Sequence, residues 1–155
     1  LGIDNSEWAL NYIQDSNKQY FFKADIAESR DLKYLREFNV VTGWDLLEHV
    51  PVDKIDPAIE NLKRLSNKYL VFKICTAQKE SEVKSFTSED DLTKAPEWEW
   101  LYVSGHLNSQ LPTYWSKKLE NGYWKINKDQ SEKIVYDLRL PSDWRTTLIL
   151  EKGSE

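Results

Sequence analysis

Cysteine, histidine, methionine and glycine are all scarce in this sequence, and the shortages of cysteine and histidine limit which metal sites and cross-links the chain can form. The 155 residues include one Cys, two His, no Met and five Gly. The single Cys75 excludes an intrachain disulfide and a cysteine-rich metal site. Two histidines are too few for a typical all-protein zinc site, so we expect no bound metal. No apolar run is long enough to suggest a membrane-spanning helix.

An excess of positive charge is also missing. The formal net charge is −5, with both signs mixed along the chain. A non-specific nucleic-acid binder normally carries a basic face, so we expect no nucleic-acid partner. The lone cysteine fits a reducing compartment, and we therefore expect a cytoplasmic location. The sequence does not indicate the oligomeric state.

The composition otherwise predicts one ordinary globular domain. Hydrophobic residues make up 40% of the chain and charged residues 30%, as in ordinary globular proteins. A chain of 155 residues is also long enough to bury a hydrophobic core. Seven Trp and eight Tyr are present. Aromatic side chains pack cores, and they also line pockets for flat or sugar-like ligands.

Short apolar runs alternate with helical patterns, which predicts an α/β fold with a parallel sheet core. Ser6 is placed to cap a first helix, Asp56-Pro57 to start another, and Gly122 to end a third. Tyr69–Ile74 is nearly continuously apolar, as in a central parallel strand. The predicted strands are 1–4, 20–23, 38–43, 69–74, 123–126, 134–140 and 146–150, and the main predicted helices are 31–36, 56–65 and 113–121.

Residues 76–97 differ from the rest of the chain, because they are polar and charged with few large apolar side chains. A connection of this length in a compact domain is usually a lid, a binding loop or a solvated insertion. We treat it as a polar insertion and a candidate lid.

The stretch from Phe38 to Pro51 organises the chain. An apolar strand is expected to turn at Gly43 and to deliver Trp44, Asp45, Glu48 and His49 at its carboxyl end. Ligands of open α/β sheets bind at this end of the strands. The segment Asp45-Leu46-Leu47-Glu48-His49-Val50-Pro51, after the apolar Val40-Val41, resembles the fourth-strand motif of class I S-adenosylmethionine-dependent methyltransferases.

The resemblance extends over essentially the whole chain and implies a Rossmann-like sheet with an antiparallel C-terminal strand. Leu1-Gly2-Ile3-Asp4 is similar to the family's second strand, whose terminal acidic residue binds the ribose of the methyl donor. Ala24-Asp25-Ile26 is similar to the third-strand end, which contacts adenine. The resemblance therefore implies S-adenosylmethionine as cofactor, bound by Asp4, Asn5, Asp25, Ile26, Thr42 and Trp44.

The acceptor side of the implied site depends on the two histidines. A His with a pKa near neutrality can take a proton from an acceptor hydroxyl or amine. His106 is the first candidate for this catalytic role and His49 the second, and either could instead be structural. The implied reaction is methyl transfer to a small-molecule or saccharide-like acceptor. Since the sulfonium is already activated, the enzyme mainly aligns the reacting atoms.

One departure from the family pattern is large. Class I methyltransferases carry a Gly-rich loop after their first strand, and none of the five glycines here forms such a motif. That strand lies between the second and fourth strands in the family. We therefore expect a methyltransferase domain that lacks its first strand and is incomplete at its N-terminus. Two rivals remain open: a non-catalytic methyltransferase-like scaffold module of a larger protein, and another nucleotide-binding enzyme such as a nicotinamide-dependent one.

Overall fold

A computed structural model describes residues 1–94, 105–137 and 145–153 of the chain. The strands are β1 Gly2–Asp4, β2 Phe21–Lys23, β3 Phe38–Trp44, β4 Ser66–Cys75, β5 Lys84–Ser85, β6 Asn108–Ser109, β7 Trp124–Ile126 and β8 Arg145–Lys152. The helices are α1 Glu7–Asn11, α2 Ser29–Leu32, α3 Ile55–Leu65, α4 Glu89–Thr93, α5 Pro112–Leu119 and α6 Lys128–Asp137. Short 3-10 turns cover Lys18–Tyr20, Leu47–His49, Val52–Lys54 and Glu80–Glu82.

The main sheet is mixed and has the strand order β3-β4-β8-β7. β3 runs parallel to β4, whereas β8 is antiparallel to both β4 and β7. β1 and β2 form a separate parallel pair, and β5 and β6 form a small antiparallel pair. The predicted α/β fold with a parallel core and an antiparallel C-terminal strand is confirmed.

A groove separates β1 from β3. Within the described ranges, β1 pairs only with β2 and β3 pairs only with β4. Residues 1–4 line one side of this groove and residues 38 and 40–45 the other, and its volume is about 510 Å³. Four large apolar side chains that line it remain exposed to solvent: Leu1, Phe21, Val40 and Trp44. We call this feature the inter-sheet groove.

The main core lies between the four-stranded sheet and helices α3 and α5. Phe72 and Ile74 of β4 pack with Ile59 of α3 and with Trp115 and Leu119 of α5. The apolar stripe predicted for α3 is therefore buried, because positions three and four apart share one face of a helix. A second, smaller cluster of Ala24, Leu32 and Leu65 joins the β1–β2 pair to α3.

Several predicted element boundaries are wrong. β3 continues through Gly43, and the turn comes at Asp45, which has a positive φ of 46°. Asp56 lies inside α3, which starts one residue earlier at Ile55 without a side-chain cap. α5 ends at Leu119, so Gly122 does not stop it. α2 covers residues 29–32, earlier than the predicted 31–36.

The extended segment predicted around Ile134 is also wrong. Residues up to Asp137 belong to α6, and the rest of that predicted strand lies outside the described residues. Asn127 begins the helix, because its side-chain oxygen accepts the Gln130 N–H at 3.1 Å. Ser131, one turn on, donates to the Asn127 carbonyl and accepts the Ile149 N–H of β8. These capping bonds outweighed the apparent alternation of apolar residues.

The polar insertion contains regular structure. It includes β5 and α4, and residues 95–97 lie outside the described part of the chain. Ser88 caps α4 by accepting the Asp91 N–H at 3.2 Å. Leu92 packs with Leu107 and Phe86 in a small core of its own. Among the described residues, no helix is long and apolar enough to cross a bilayer.

Candidate functional site

Asp4 stands at the carboxyl end of β1, as the sequence predicts. One of its carboxylate oxygens accepts the Ser6 N–H at 2.7 Å. Ser6 then caps α1 by accepting the Ala9 N–H at 3.2 Å. These two bonds fix the turn that presents Asp4 and Asn5 to the neighbouring cavity, and they engage only one of the two carboxylate oxygens of Asp4.

Asp25 and Ile26 follow β2 in the corresponding position. Asp25 accepts the Ala27 N–H at 2.9 Å and lies 3.7 Å from Lys54 Nζ. The carbonyl of Ile26 accepts the side-chain amide of Asn61 at 2.9 Å, which ties this loop to α3. β1 and β2 are parallel, and so their carboxyl ends, with the acidic residues, meet at one edge.

Asp4, Asn5, Asp25 and Ile26 line one cavity of about 520 Å³. His49 lines the same cavity. The remaining lining residues are Ile3, Ala24, Asp45, Leu46, Val50, Pro51, Lys54, Thr87, Ser88 and Leu107. Four of the six predicted donor contacts thus share one cavity with one of the two predicted catalytic histidines. We call it the donor-side cavity.

Thr42 and Trp44 lie elsewhere. Both line the inter-sheet groove, not the donor-side cavity. The two spaces adjoin, because Asp4, Ile26 and Asp45 line both of them. The structure therefore does not bring all six predicted donor contacts into a single pocket.

The turn after β3 connects the strand to the site. Asp45 takes the left-handed conformation, which Asp tolerates better than most non-glycine residues. Its N–H donates to the Lys73 carbonyl at 2.8 Å, and its carboxylate accepts Lys73 Nζ at 2.8 Å. Lys73 is 12% exposed and Asp45 is 39% exposed, so the pair is partly shielded from water.

Glu48 is fully buried at the 3-10 turn that follows. One carboxylate oxygen accepts the Cys75 N–H at 2.7 Å, and the other has no hydrogen-bond partner among the described residues. Burial raises the pKa of the Glu48 carboxyl, against the lowering effect of the Cys75 amide.

The two histidines meet beside Glu48. Their rings make an edge-to-face contact with centroids 4.9 Å apart. Nδ1 of His49 lies 2.9 Å from the carbonyl oxygen of Gly105. A carbonyl can only accept, so Nδ1 is the nitrogen that donates its proton to this contact. Gly105 has a φ of +67°, a conformation that favours glycine.

Sequence reasoning missed part of this site. Glu48 and His49 are sequence neighbours that cannot share a helix face, yet within a single 3-10 turn their ligand atoms lie within 4.8 Å. Lys54 also lines the donor-side cavity, 3.7 Å from Asp25, and the sequence signal for it is only a basic residue a few positions after the Glu48-His49 motif. Thr87 and Ser88 show that the polar insertion reaches the donor-side cavity.

No protein-family model matches the chain, and no curated protein sequence matches it either. Several solved structures, however, are similar to this chain. Magnesium protoporphyrin IX methyltransferase from Synechocystis PCC 6803, with bound S-adenosylhomocysteine, aligns over 98% of this chain at 15% identity and a TM-score of 0.58. A S-adenosylmethionine-dependent methyltransferase from Clostridium acetobutylicum ATCC 824 aligns over 98% of this chain and 74% of its own, at 14% identity and a TM-score of 0.60.

A third similar structure is the cyclase SpnF, which aligns over 99% of this chain and 66% of its own, at 12% identity and a TM-score of 0.62. This chain spans 63% of the length of the Synechocystis enzyme. At these identities the likeness establishes the fold, which is the Rossmann-like class I methyltransferase fold. A cyclase among the neighbours illustrates that one fold carries more than one chemistry.

Proposed function

We propose that this protein is an S-adenosylmethionine-dependent methyltransferase that acts on a small-molecule or saccharide-like acceptor. The observation that carries the proposal is the meeting of Asp4, Asn5, Asp25 and Ile26 in the donor-side cavity. These residues were selected from the family resemblance alone. Their convergence at the carboxyl ends of parallel strands is the arrangement that nucleotide-binding α/β folds use.

Each donor contact follows from local chemistry. The second carboxylate oxygen of Asp4 is suited to the vicinal hydroxyls of a ribose. The carboxylate of Asp25 is suited to an adenine amino group, and Ile26 offers an apolar contact to the ring. Thr42 and Trp44, in the adjoining groove, are proposed to contact the methionine part of the donor.

The polar insertion is proposed to act as a lid that selects the acceptor. Thr87 and Ser88 line the donor-side cavity from this segment. Two backbone hydrogen bonds hold the segment in place: Phe86 accepts from Val52 at 3.1 Å and donates to Leu107 at 2.8 Å. Lids of this kind exclude water and complete a site when substrate binds.

The inter-sheet groove is proposed to hold one further parallel strand, encoded before Leu1. The facing edges of β1 and β3 offer unpaired backbone groups within the described residues. Leu1, Phe21, Val40 and Trp44 add exposed apolar surface. Such an edge is a template for another strand. A strand at this position would place its following loop next to the donor-side cavity, where a Gly-rich loop approaches the donor in the family pattern.

The test is calorimetric titration with S-adenosylhomocysteine, on this chain and on a version extended upstream of Leu1. We expect binding that Asp4→Ala abolishes. Asp15→Ala is the matched control, because Asp15 is 93% exposed and lies outside the donor-side cavity. Binding by the extended version alone would show that the further strand completes the site.

Absence of binding by both versions would contradict the proposal and favour a scaffold role. The open groove is the observation that supports this second candidate, because a donor site without a Gly-rich loop can be degenerate. A competition titration with a nicotinamide dinucleotide separates the remaining rival enzyme class. If that dinucleotide displaces S-adenosylhomocysteine at a lower concentration than S-adenosylmethionine does, the chain would be assigned as a nicotinamide-dependent enzyme instead of a methyltransferase.

A further inference from the structure

Glu48, His49 and His106 form a compact group of metal-ligand side chains. One ligand atom from each, a carboxylate oxygen or an imidazole nitrogen, lies within 4.8 Å of the others. We propose that these three side chains bind a divalent transition-metal ion, with zinc as the ion to test. The sequence predicted no metal because the chain has only two histidines. It could not show that both histidines lie beside one buried carboxylate.

The Glu48 carboxylate is the strongest element of the proposed site. It is fully buried, and the N–H of Cys75 satisfies only one of its oxygens, at 2.7 Å. The other oxygen is buried without a hydrogen-bond partner in the described part of the chain. Burying such an atom unpaired costs free energy, so native proteins pair it with a donor or a cation. A metal ion at this oxygen supplies the missing partner.

His49 is oriented as a metal ligand. Its Nδ1–H donates to the carbonyl of Gly105 at 2.9 Å. Metal-bound histidines commonly donate the second ring nitrogen to a backbone carbonyl, which fixes the tautomer and the ring orientation. The left-handed backbone of Gly105 supports this geometry, and a Cβ added there would lie 3.4 Å from His49 Nδ1.

The donor set indicates the class of metal. Two imidazoles and one carboxylate suit zinc and other first-row divalent ions, whereas calcium and magnesium prefer oxygen ligands. Ligand atoms of a tetrahedral zinc site lie about 3.3 Å apart, given the usual bond lengths. The three atoms here lie within 4.8 Å of one another, so metal binding would require the side chains to draw closer together.

The position of the site indicates its use. His49 lines the donor-side cavity, and three protein ligands leave one position of a tetrahedral zinc ion open, as in catalytic sites. This role in the reaction rests on the proposed function. A metal ion held by these three residues would make an acceptor hydroxyl lose its proton to solvent more readily. The acceptor oxygen would then form its bond to the methyl carbon as the sulfonium–methyl bond breaks.

The first experiment is a calorimetric titration of the chelator-treated, tag-free protein with zinc chloride. Cobalt chloride provides an absorption spectrum that reports nitrogen and oxygen coordination. We expect one ion per chain. Glu48→Gln and His106→Asn should each weaken binding by at least about 100-fold, since loss of even an outer partner typically costs 10- to 100-fold. Glu7→Gln, at an exposed carboxylate, should not change it.

Cys75→Ser controls for the nearby thiol and should retain full affinity. Loss of binding in Cys75→Ser with retention in the histidine variant would overturn the site, as would a parent chain that binds no zinc. Circular dichroism checks that each variant is folded. If a variant fails to fold, the cobalt spectrum of the parent decides: a spectrum without imidazole coordination refutes the proposal. A parent chain that binds S-adenosylhomocysteine but no zinc would refute the metal site and leave the proposed function intact.

Discussion

The ion pair between Lys73 and Asp45 should stabilise the turn that carries the site. Lys73 Nζ lies 2.8 Å from the Asp45 carboxylate, and the two side chains are 12% and 39% exposed. Fully exposed pairs contribute about 0.2–1 kcal/mol, while breaking a buried pair costs about 3–5 kcal/mol. The partial exposure of Asp45 places this pair between the two limits. We expect a coupling free energy of about 1–2 kcal/mol.

The assay is a double-mutant cycle with Lys73→Met, Asp45→Asn and the combined variant, measured by urea unfolding at neutral pH. Asn is chosen because it tolerates the left-handed backbone at this position. Part of the coupling should persist in high salt, because shielded pairs are screened less. The exposed pair Lys23 and Glu7, at 3.3 Å, is the control and should couple more weakly.

A coupling free energy indistinguishable from that of the control would refute the reasoning. It would show that solvent screening removes the benefit despite the short distance. A large coupling that disappears in moderate salt would contradict the assigned burial of Lys73. Either result would leave the left-handed turn at Asp45 without its proposed support.

Two further predictions concern the insertion and the helix pair behind the sheet. Leu92→Ala removes a side chain that is 1% exposed in the small core beneath the insertion, and we expect the free energy of unfolding to fall by about 2–3 kcal/mol. Limited proteolysis should then cut residues 76–94 sooner, and acceptor turnover should fall more than donor binding. Equal losses of turnover and donor binding would contradict the lid. The hydrogen bond from Lys118 to Asp56, 2.6 Å long, raises the pKa of Lys118 above 10.5. Its stabilisation is therefore fully present below pH 10.5 and is lost as the pH rises through the raised pKa of the folded state. Lys118→Met should cost under about 1 kcal/mol at neutral pH, and a difference from the parent that persists at higher pH would disprove the linkage.

The sequence predicted the elements whose signals are local. Ser6 has a side chain that caps a helix, and Tyr69–Ile74 is apolar enough to be a covered strand, and both predictions are confirmed. Asp4 and Asp25 were predicted from the family resemblance, and the parallel pairing of β1 and β2 brings the two strand ends together. The alternation around Ile134 misled. The Asn127 cap was a local signal for a helix, whereas the bond from the Ile149 N–H to Ser131 is a contact with β8 that the sequence does not show.

The histidine cluster could not be predicted for a different reason. Glu48 and His106 are far apart in sequence, and their approach depends on the path of the chain between β4 and α5. The burial of Glu48 also results from tertiary packing, because nothing in the residues around it distinguishes a buried carboxylate from a solvated one. Sequence patterns identify which residues can carry chemistry, whereas their meeting point requires the fold.

The separation of the small cluster under β1 and β2 from the main core affects the measured affinity of a ligand. β1 and β2 share no ladder hydrogen bonds with the main sheet in the described residues. A small cluster around Leu32 and the hydrogen bond from Asn61 to the Ile26 carbonyl attach them to α3. Local opening free energies follow the amount of buried contact, so amide protons of β1 and β2 should exchange with solvent earlier than those of β4. A ligand bridging Asp4 and His49 therefore spends part of its binding free energy on ordering this unit, and its measured affinity is lower than its contacts alone would give.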